Sequence, residues 1–173
     1  MTGSGRESAI LIAVPEAEPV VGALRAEHDP AAAAGVPAHV TLLYPFVPAE
    51  VVDEEVLERV RDVVAACPVF RFALEEVGWF DGGVLYLAPS PDEPFVRLIA
   101  GLAERFPAYP PYGGAYELVV PHLTVATNGS PEMERSLTSA LPVNSVASEV
   151  LLMEEGADAT WSVRARFPLG MPG

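Results

Sequence analysis

The amino-acid sequence predicts an α+β fold, one domain made of two small lobes that share a core. Three observations predict it. Short apolar runs suited to strands alternate along the chain with stretches of helical spacing. Asp81-Gly82-Gly83 joins two alternating runs, a signal for an antiparallel hairpin. A His-x-Thr pattern occurs twice, at His39 and His122, 83 residues apart in a chain of 173. That period is too long for a solenoid repeat and suits a duplicated lobe.

The elements follow in order. Residues 1–8 are polar, lack a signal-peptide core and are expected to be disordered. Ala9 to Val14 is an apolar run too short for a helix and stops at Pro15, so it reads as a buried strand. Pro19 to His28 carries Val20, Val21 and Leu24 at helical spacing, with His28 at the helix end before Asp29-Pro30. Ala31 to Val36 reads as a loop of small residues, and Ala38 to Tyr44 as a second strand closed by Pro45. Across Ala49 to Ala66, Val52, Val56, Leu57, Val60, Val63 and Val64 form the stripe of an amphipathic helix.

Phe70, Phe72 and Leu74 alternate with polar or small residues, and the pattern resumes at Val84 to Leu87 after the hairpin turn. Ser90 and Glu93 have capping-box spacing ahead of Phe95, Leu98, Ile99, Leu102 and Phe106, which predicts a third helix. Pro107 to Gly114 is an ordered aromatic loop, and Glu117 to Ala126 a strand interrupted at Pro121. Ser130-Pro131 starts a short helix marked by Met133, Leu137 and Leu141. Two strands, Ser145 to Glu154 and Thr160 to Phe167, close the fold; in the second, Trp161, Val163, Ala165 and Phe167 are expected inside and Ser162, Arg164 and Arg166 outside.

Composition narrows the function. Half the residues are hydrophobic and a fifth charged, which argues against a disordered chain. The net charge is −14, every basic residue is Arg, and the arginines are scattered singly. A long duplex footprint needs many neutralised phosphates and is not expected; neither is an anionic membrane surface. The single Cys67 makes no internal disulfide and no multi-thiolate zinc site. A monomeric cytoplasmic protein is the expectation.

In an extended strand residues i and i+2 share a face. Each of Ala38-His39-Val40-Thr41-Leu42 and Pro121-His122-Leu123-Thr124-Val125 therefore presents an imidazole and a hydroxyl on one side and apolar anchors on the other. Brought together, the two strands would offer two imidazoles and two hydroxyls to one cleft. That set suits attack of water on a phosphodiester: one neutral His takes the proton of water, one protonated His gives a proton to the departing oxygen, and the Thr hydroxyls donate to the phosphate oxygens. No metal or other cofactor is called for.

The paired motifs resemble those of the two-histidine phosphoesterase superfamily, which includes the so-called 2'-5' RNA ligases and RNA-terminal cyclic phosphodiesterases. The wider blocks Asp29-Pro30 to Phe46 and Tyr109 to Ala126 are similar too. The resemblance implies a two-lobed, pseudo-twofold α+β architecture around a central cleft and no metal cofactor. It also implies His39 and His122 as acid and base and Thr41 and Thr124 as phosphate-contacting residues. The chain has Ala126-Thr127 where RNA-processing members often carry an Arg. With no basic run, a short 2',3'-cyclic phosphate end or a mononucleotide-sized ligand comes ahead of tRNA. Hydrolysis is the leading expectation. A non-catalytic nucleotide- or phosphate-binding module, or 2'-5' end-joining as the reverse reaction, is the alternative.

Further candidates surround the motifs. Tyr44 and Phe46 follow the first, and Tyr109, Tyr112 and Tyr116 precede the second, placing aromatic faces where a base could stack. Arg164 and Arg166 could reach a phosphate from the polar face of their strand.

Overall fold

The computed structural model describes residues 5–115 and 119–170. Through them run β1 (Ser8–Ala13), α1 (Glu18–His28), α2 (Pro30–Ala33), β2 (His39–Leu43), α3 (Glu54–Ala65), β3 (Phe70–Phe80), β4 (Val84–Ser90), α4 (Glu93–Arg105), β5 (Leu123–Ala126), α5 (Pro131–Ala140), β6 (Val143–Ala147), β7 (Glu149–Glu155) and β8 (Trp161–Pro168). The strands form two four-stranded sheets, ordered β2-β1-β7-β8 and β5-β4-β3-β6. Every pairing in them is antiparallel. The fold is the α+β architecture expected.

The duplication is visible in the order of elements. A strand, a helix, the strand of the motif and another helix succeed one another as β1-α1-β2-α3 and again as β4-α4-β5-α5. In each sheet the motif strand is an edge, paired with the strand that begins its unit. The lobes are interleaved, however, because β7 and β8 return to complete the first sheet after the second is finished. The helices interleave as well: α4 packs against β2, and α1 against β5.

Side-chain alternation then decides which face is core. Val40 and Leu42 of β2, and Leu123 and Val125 of β5, lie buried in one continuous cluster shared by both lobes. His39, Thr41, His122 and Thr124 are half-buried on the opposite faces. The i, i+2 rule thus settles two things together, the anchoring of each edge strand and the direction of its polar pair.

Several boundaries differ from the sequence reading. Residues 1–4 lie outside the described residues, but Ser8 is already buried in β1 and its hydroxyl donates to the carbonyl of Val47. Arg6 is held by the carboxylate of Glu50 at 3.0 Å. The Ala31 to Val36 stretch begins inside the short helix α2, whose first turn is capped by the Asp29 side chain accepting from the amide of Ala31 at 3.1 Å. The long helix expected from Ala49 breaks into a 3-10 turn, Ala49–Val51, and α3, because Asp53 caps a new start through the amide of Val56. Ser90 is no cap: it remains in β4 paired with Ala73, and α4 begins at Glu93 without a side-chain cap.

Of the described part of the strand expected over Glu117 to Ala126, Leu123–Ala126 form β5. Tyr116, Glu117 and Leu118 lie outside the described residues. The single strand expected over Ser145 to Glu154 is two, since the chain leaves one sheet after Ala147 and enters the other at Glu149. In β8 the alternation is broken by a register shift opposite Leu152 and Met153, and Val163, expected inside, is exposed. Among the described residues, no helix is long and apolar enough to cross a membrane.

Candidate active site

The two histidines are built alike. His39 opens β2 opposite Ala13, and its Nδ1–H donates to the carbonyl of Pro37 at 2.7 Å. His122 stands immediately before β5, and its Nδ1–H donates to the carbonyl of Val120 at 2.8 Å. In both cases the acceptor is two residues back, so the same local turn fixes the ring and its tautomer. With Nδ1 holding the proton, Nε2 of each neutral ring carries the free lone pair.

Two residues on from each imidazole stands a threonine. The hydroxyls of Thr127, Thr138 and Thr160 donate to protein oxygens. Among the described residues, those of Thr41 and Thr124 have no such bond. β2 and β5 lie beside each other, their nearest Cα atoms within 8 Å. The fold thus brings both motifs to one place.

Their electrostatics differ in degree. Burial pushes His39 down to about 4, against the opposing effect of its bond to Pro37; Arg25 lowers it further, Asp29 raises it, and His122 lowers it. Burial also holds His122 below the ordinary histidine range, opposed by its bond to Val120. Removing a cation from water costs free energy, so both rings favour the neutral form, His39 more strongly.

An aromatic wall encloses His122. Phe80 meets its ring edge-on with centroids 4.8 Å apart, Tyr86 approaches at 5.6 Å, and Phe80 and Tyr86 stack on each other at 4.2 Å. Register explains the placement, since Tyr86 lies directly across from Thr124 on one side and Gly78 on the other. A Cβ at Gly78 would come within 2.4 Å of the Tyr86 ring, so the absent side chain makes the slot in which the phenol lies. Sequence reasoning missed Phe80 and Tyr86. Their only signal was the hairpin register, which sets Gly78 opposite Tyr86, and nothing local joined that hairpin to the second motif.

The other candidates are placed as follows. Tyr44 follows β2 with its hydroxyl donating to Glu7 at 2.7 Å and its ring 6.3 Å from that of Trp161. Burial, then the bond to Glu7, pushes its phenol up to about 12. The amide of Tyr112 donates to the carbonyl of Tyr44 at 2.6 Å, so these two tyrosines are neighbours. Tyr109 packs its ring on Phe46. Arg164 and Arg166 are not brought to the histidines. They sit on β8, three strands from β2, roughly 14 Å across a sheet. There they pair with Glu154 at 2.9 Å and Glu149 at 2.6 Å. Arg166 and Glu149 line a cavity of about 400 Å3 that reaches Ala13 and Pro37, beside His39.

His28 closes α1, as expected. Its carbonyl accepts from both the amide and the hydroxyl of Thr127, at 2.8 and 3.0 Å, and its ring bonds Asn128 at 3.0 Å. Thr127 thus ties the exit of β5 to the first lobe. No group of three or more His, Cys, Asp or Glu among the described residues is placed to hold a metal ion.

A model of the 2'-5' RNA ligase superfamily matches residues 13–164, which includes both motifs. The chain belongs to that superfamily, whose members are two-histidine phosphoesterases. Solved structures with the same fold include Escherichia coli LigT complexed with 3'-AMP, 18% identical, with a TM-score of 0.63 over 96% of this chain and 99% of that one. E. coli LigT complexed with NADP+ is 19% identical, with a TM-score of 0.59 over 96% and 99% of the two chains. The protein TT0787 of Thermus thermophilus is 19% identical, with a TM-score of 0.58 over 96% and 100%. Comparison with curated protein sequences finds no match.

Proposed function

We propose that this superfamily member hydrolyses the 2',3'-cyclic phosphate of a nucleotide or short RNA end, with His39 as the proton acceptor and His122 as the proton donor. The observation that carries the reading is the duplicated unit: an imidazole fixed through Nδ1 by the carbonyl two residues back, with an unengaged threonine hydroxyl two residues on. The bound phosphate lies between the two Nε2 atoms. Neutral His39 takes a proton from water as its oxygen attacks phosphorus, and protonated His122 gives one to the ribose oxygen that leaves. Thr41 and Thr124 donate to the non-bridging oxygens, where charge redistributes during the step. The two imidazoles balance the proton transfers between them, and no metal is needed for that balance.

A nucleotide is the favoured ligand for two reasons. The Phe80–Tyr86 pair offers an aromatic face next to one imidazole, suited to stacking a base. A similarly folded protein, E. coli LigT, has been crystallised with 3'-AMP. Phosphorus NMR of the protein with 2',3'-cyclic nucleotides, in the presence of EDTA, tests the reading. A single monoester product accumulating at a rate above the protein-free control is expected. Binding without turnover would replace hydrolysis by a nucleotide-binding module.

A further inference from the structure

We propose that the buried Arg25–Asp29 ion pair is a positioning element of the site, fixing the segment that carries His39 and setting fixed charge beside that segment. The proposal rests on the reading of His39 as proton acceptor given above. Arg25, in the last turn of α1, is 2% exposed, and Asp29, which follows the helix, is 7% exposed. Arg25 Nε donates to Asp29 Oδ2 at 3.0 Å, and its Nη2 donates to the carbonyl of Val36 at 3.1 Å. The next carbonyl along, that of Pro37, accepts from His39 Nδ1. Successive carbonyls are therefore held by a buried guanidinium and by the imidazole itself. The planar fork of Arg reaches both Asp29 and Val36, a geometry that a lysine ammonium cannot copy.

Stability does not account for an ion pair this deep. Its desolvation offsets most of the Coulomb gain, and apolar residues of the same volume often serve as well. What the pair supplies is fixed charge beside one imidazole and not the other. Arg25, Asp29 and His122 influence the charge of His39, and neither member of the pair does so at His122; the other carboxylate next to the strand is Glu18, which accepts from the amide of Ala38 at 3.0 Å. The two members act on His39 with opposite signs, Arg25 against protonation and Asp29 for it. The duplicated lobes thereby acquire different chemistry from a single asymmetric addition to α1.

The test is NMR titration of the histidine rings in the wild type and in Arg25→Met, Asp29→Asn and Arg25→Lys. In Arg25→Met the cation is lost and the Asp29 carboxylate is unopposed, so the His39 midpoint rises by about one pH unit. In Asp29→Asn the guanidinium is unopposed, and the midpoint falls, leaving the ring neutral down to acid unfolding. His122 stays put in both. The opposite signs are decisive, because simple loosening of the site would admit water and raise the midpoint in both variants. A rise in Asp29→Asn, or no change in Arg25→Met, overturns the electrostatic role. Arg25→Lys keeps the charge and one partner, and covers the case in which Arg25→Met does not fold. Its midpoint stays within about half a unit of wild type while kcat falls at least fivefold at constant KM. Unchanged kcat in a folded Arg25→Lys enzyme overturns the positioning role. The titrations need no substrate, so a wild type that fails to turn over cyclic nucleotides would sink the hydrolase reading and leave this result standing.

Discussion

At each histidine a single backbone carbonyl does two jobs, since it orients the ring and leaves the proton-accepting nitrogen free. If the rings are acid and base of one step, replacing either His39 or His122 with Ala lowers kcat by on the order of a hundredfold or more. Because they act together, the double variant loses less than the product of the single losses, which a kinetic cycle on the four proteins measures. If the threonines donate to the phosphate, Thr41→Ala and Thr124→Ala are each expected to lower kcat about tenfold. The low affinity of His39 for protons has a signature in stability. Its folded value of about 4 lies below the unfolded value of 6.5, so between them the unfolded chain binds more protons and the fold weakens as pH falls. The contribution is complete above 6.5 and lost by about 4, at most about 3 kcal/mol. Urea unfolding of His39→Gln against wild type is expected to show this slope missing across that window. A third residue test concerns the aromatic wall: Gly78→Ala displaces the Tyr86 ring by sterics alone and is expected to raise KM for cyclic nucleotides several-fold with little change in the urea midpoint.

Elements here are held by local devices that can be changed without touching the cleft. Asp53→Ala removes the cap of α3 and is expected to cost about 1 kcal/mol in urea unfolding, with turnover unchanged. Such local devices are also what made much of the fold legible from the residues. The hairpin at Asp81-Gly82-Gly83, the stripe of α4 and the Ser130 cap of α5 each depend on neighbours in sequence, and each forms where expected. The histidine and threonine faces were legible for the same reason. Ser90 shows the limit: its spacing to Glu93 fits a cap, but pairing with Ala73 keeps it in the sheet. Ser148 shows another, because apolar alternation runs on past the point where the chain changes sheets. Phe80, Tyr86 and Arg25 reach the site only through strand register and the packing of α1, which are long-range facts that no window of sequence contains.

At the scale of the molecule, the net charge is −14, while the proposed substrate is an anion. Among the described residues Arg25 is engaged with Asp29, Arg164 with Glu154 and Arg166 with Glu149. Phosphates beyond the reacting one would meet repulsion, with little counterion release to drive binding. For a cyclic-phosphate mononucleotide or dinucleotide, kcat/KM is therefore expected to equal or exceed that for a long RNA with the same end, with shallow salt dependence. A tenfold preference for tRNA-sized RNA that weakens steeply with salt would contradict this.

The interleaving of the sheets bears on how the molecule comes into being. A ribosome releases β1 and β2 early, but the strand that flanks β1 on its other side is β7, synthesised only after the entire second lobe. The second sheet has all four of its strands once Ala147 has emerged, while the first must wait with an unpaired edge on an apolar strand. Exposed edges of that kind invite pairing with other chains. The nascent protein therefore keeps an open edge longest in its first sheet, the one that carries His39, so the motif made first is the one whose sheet is finished last.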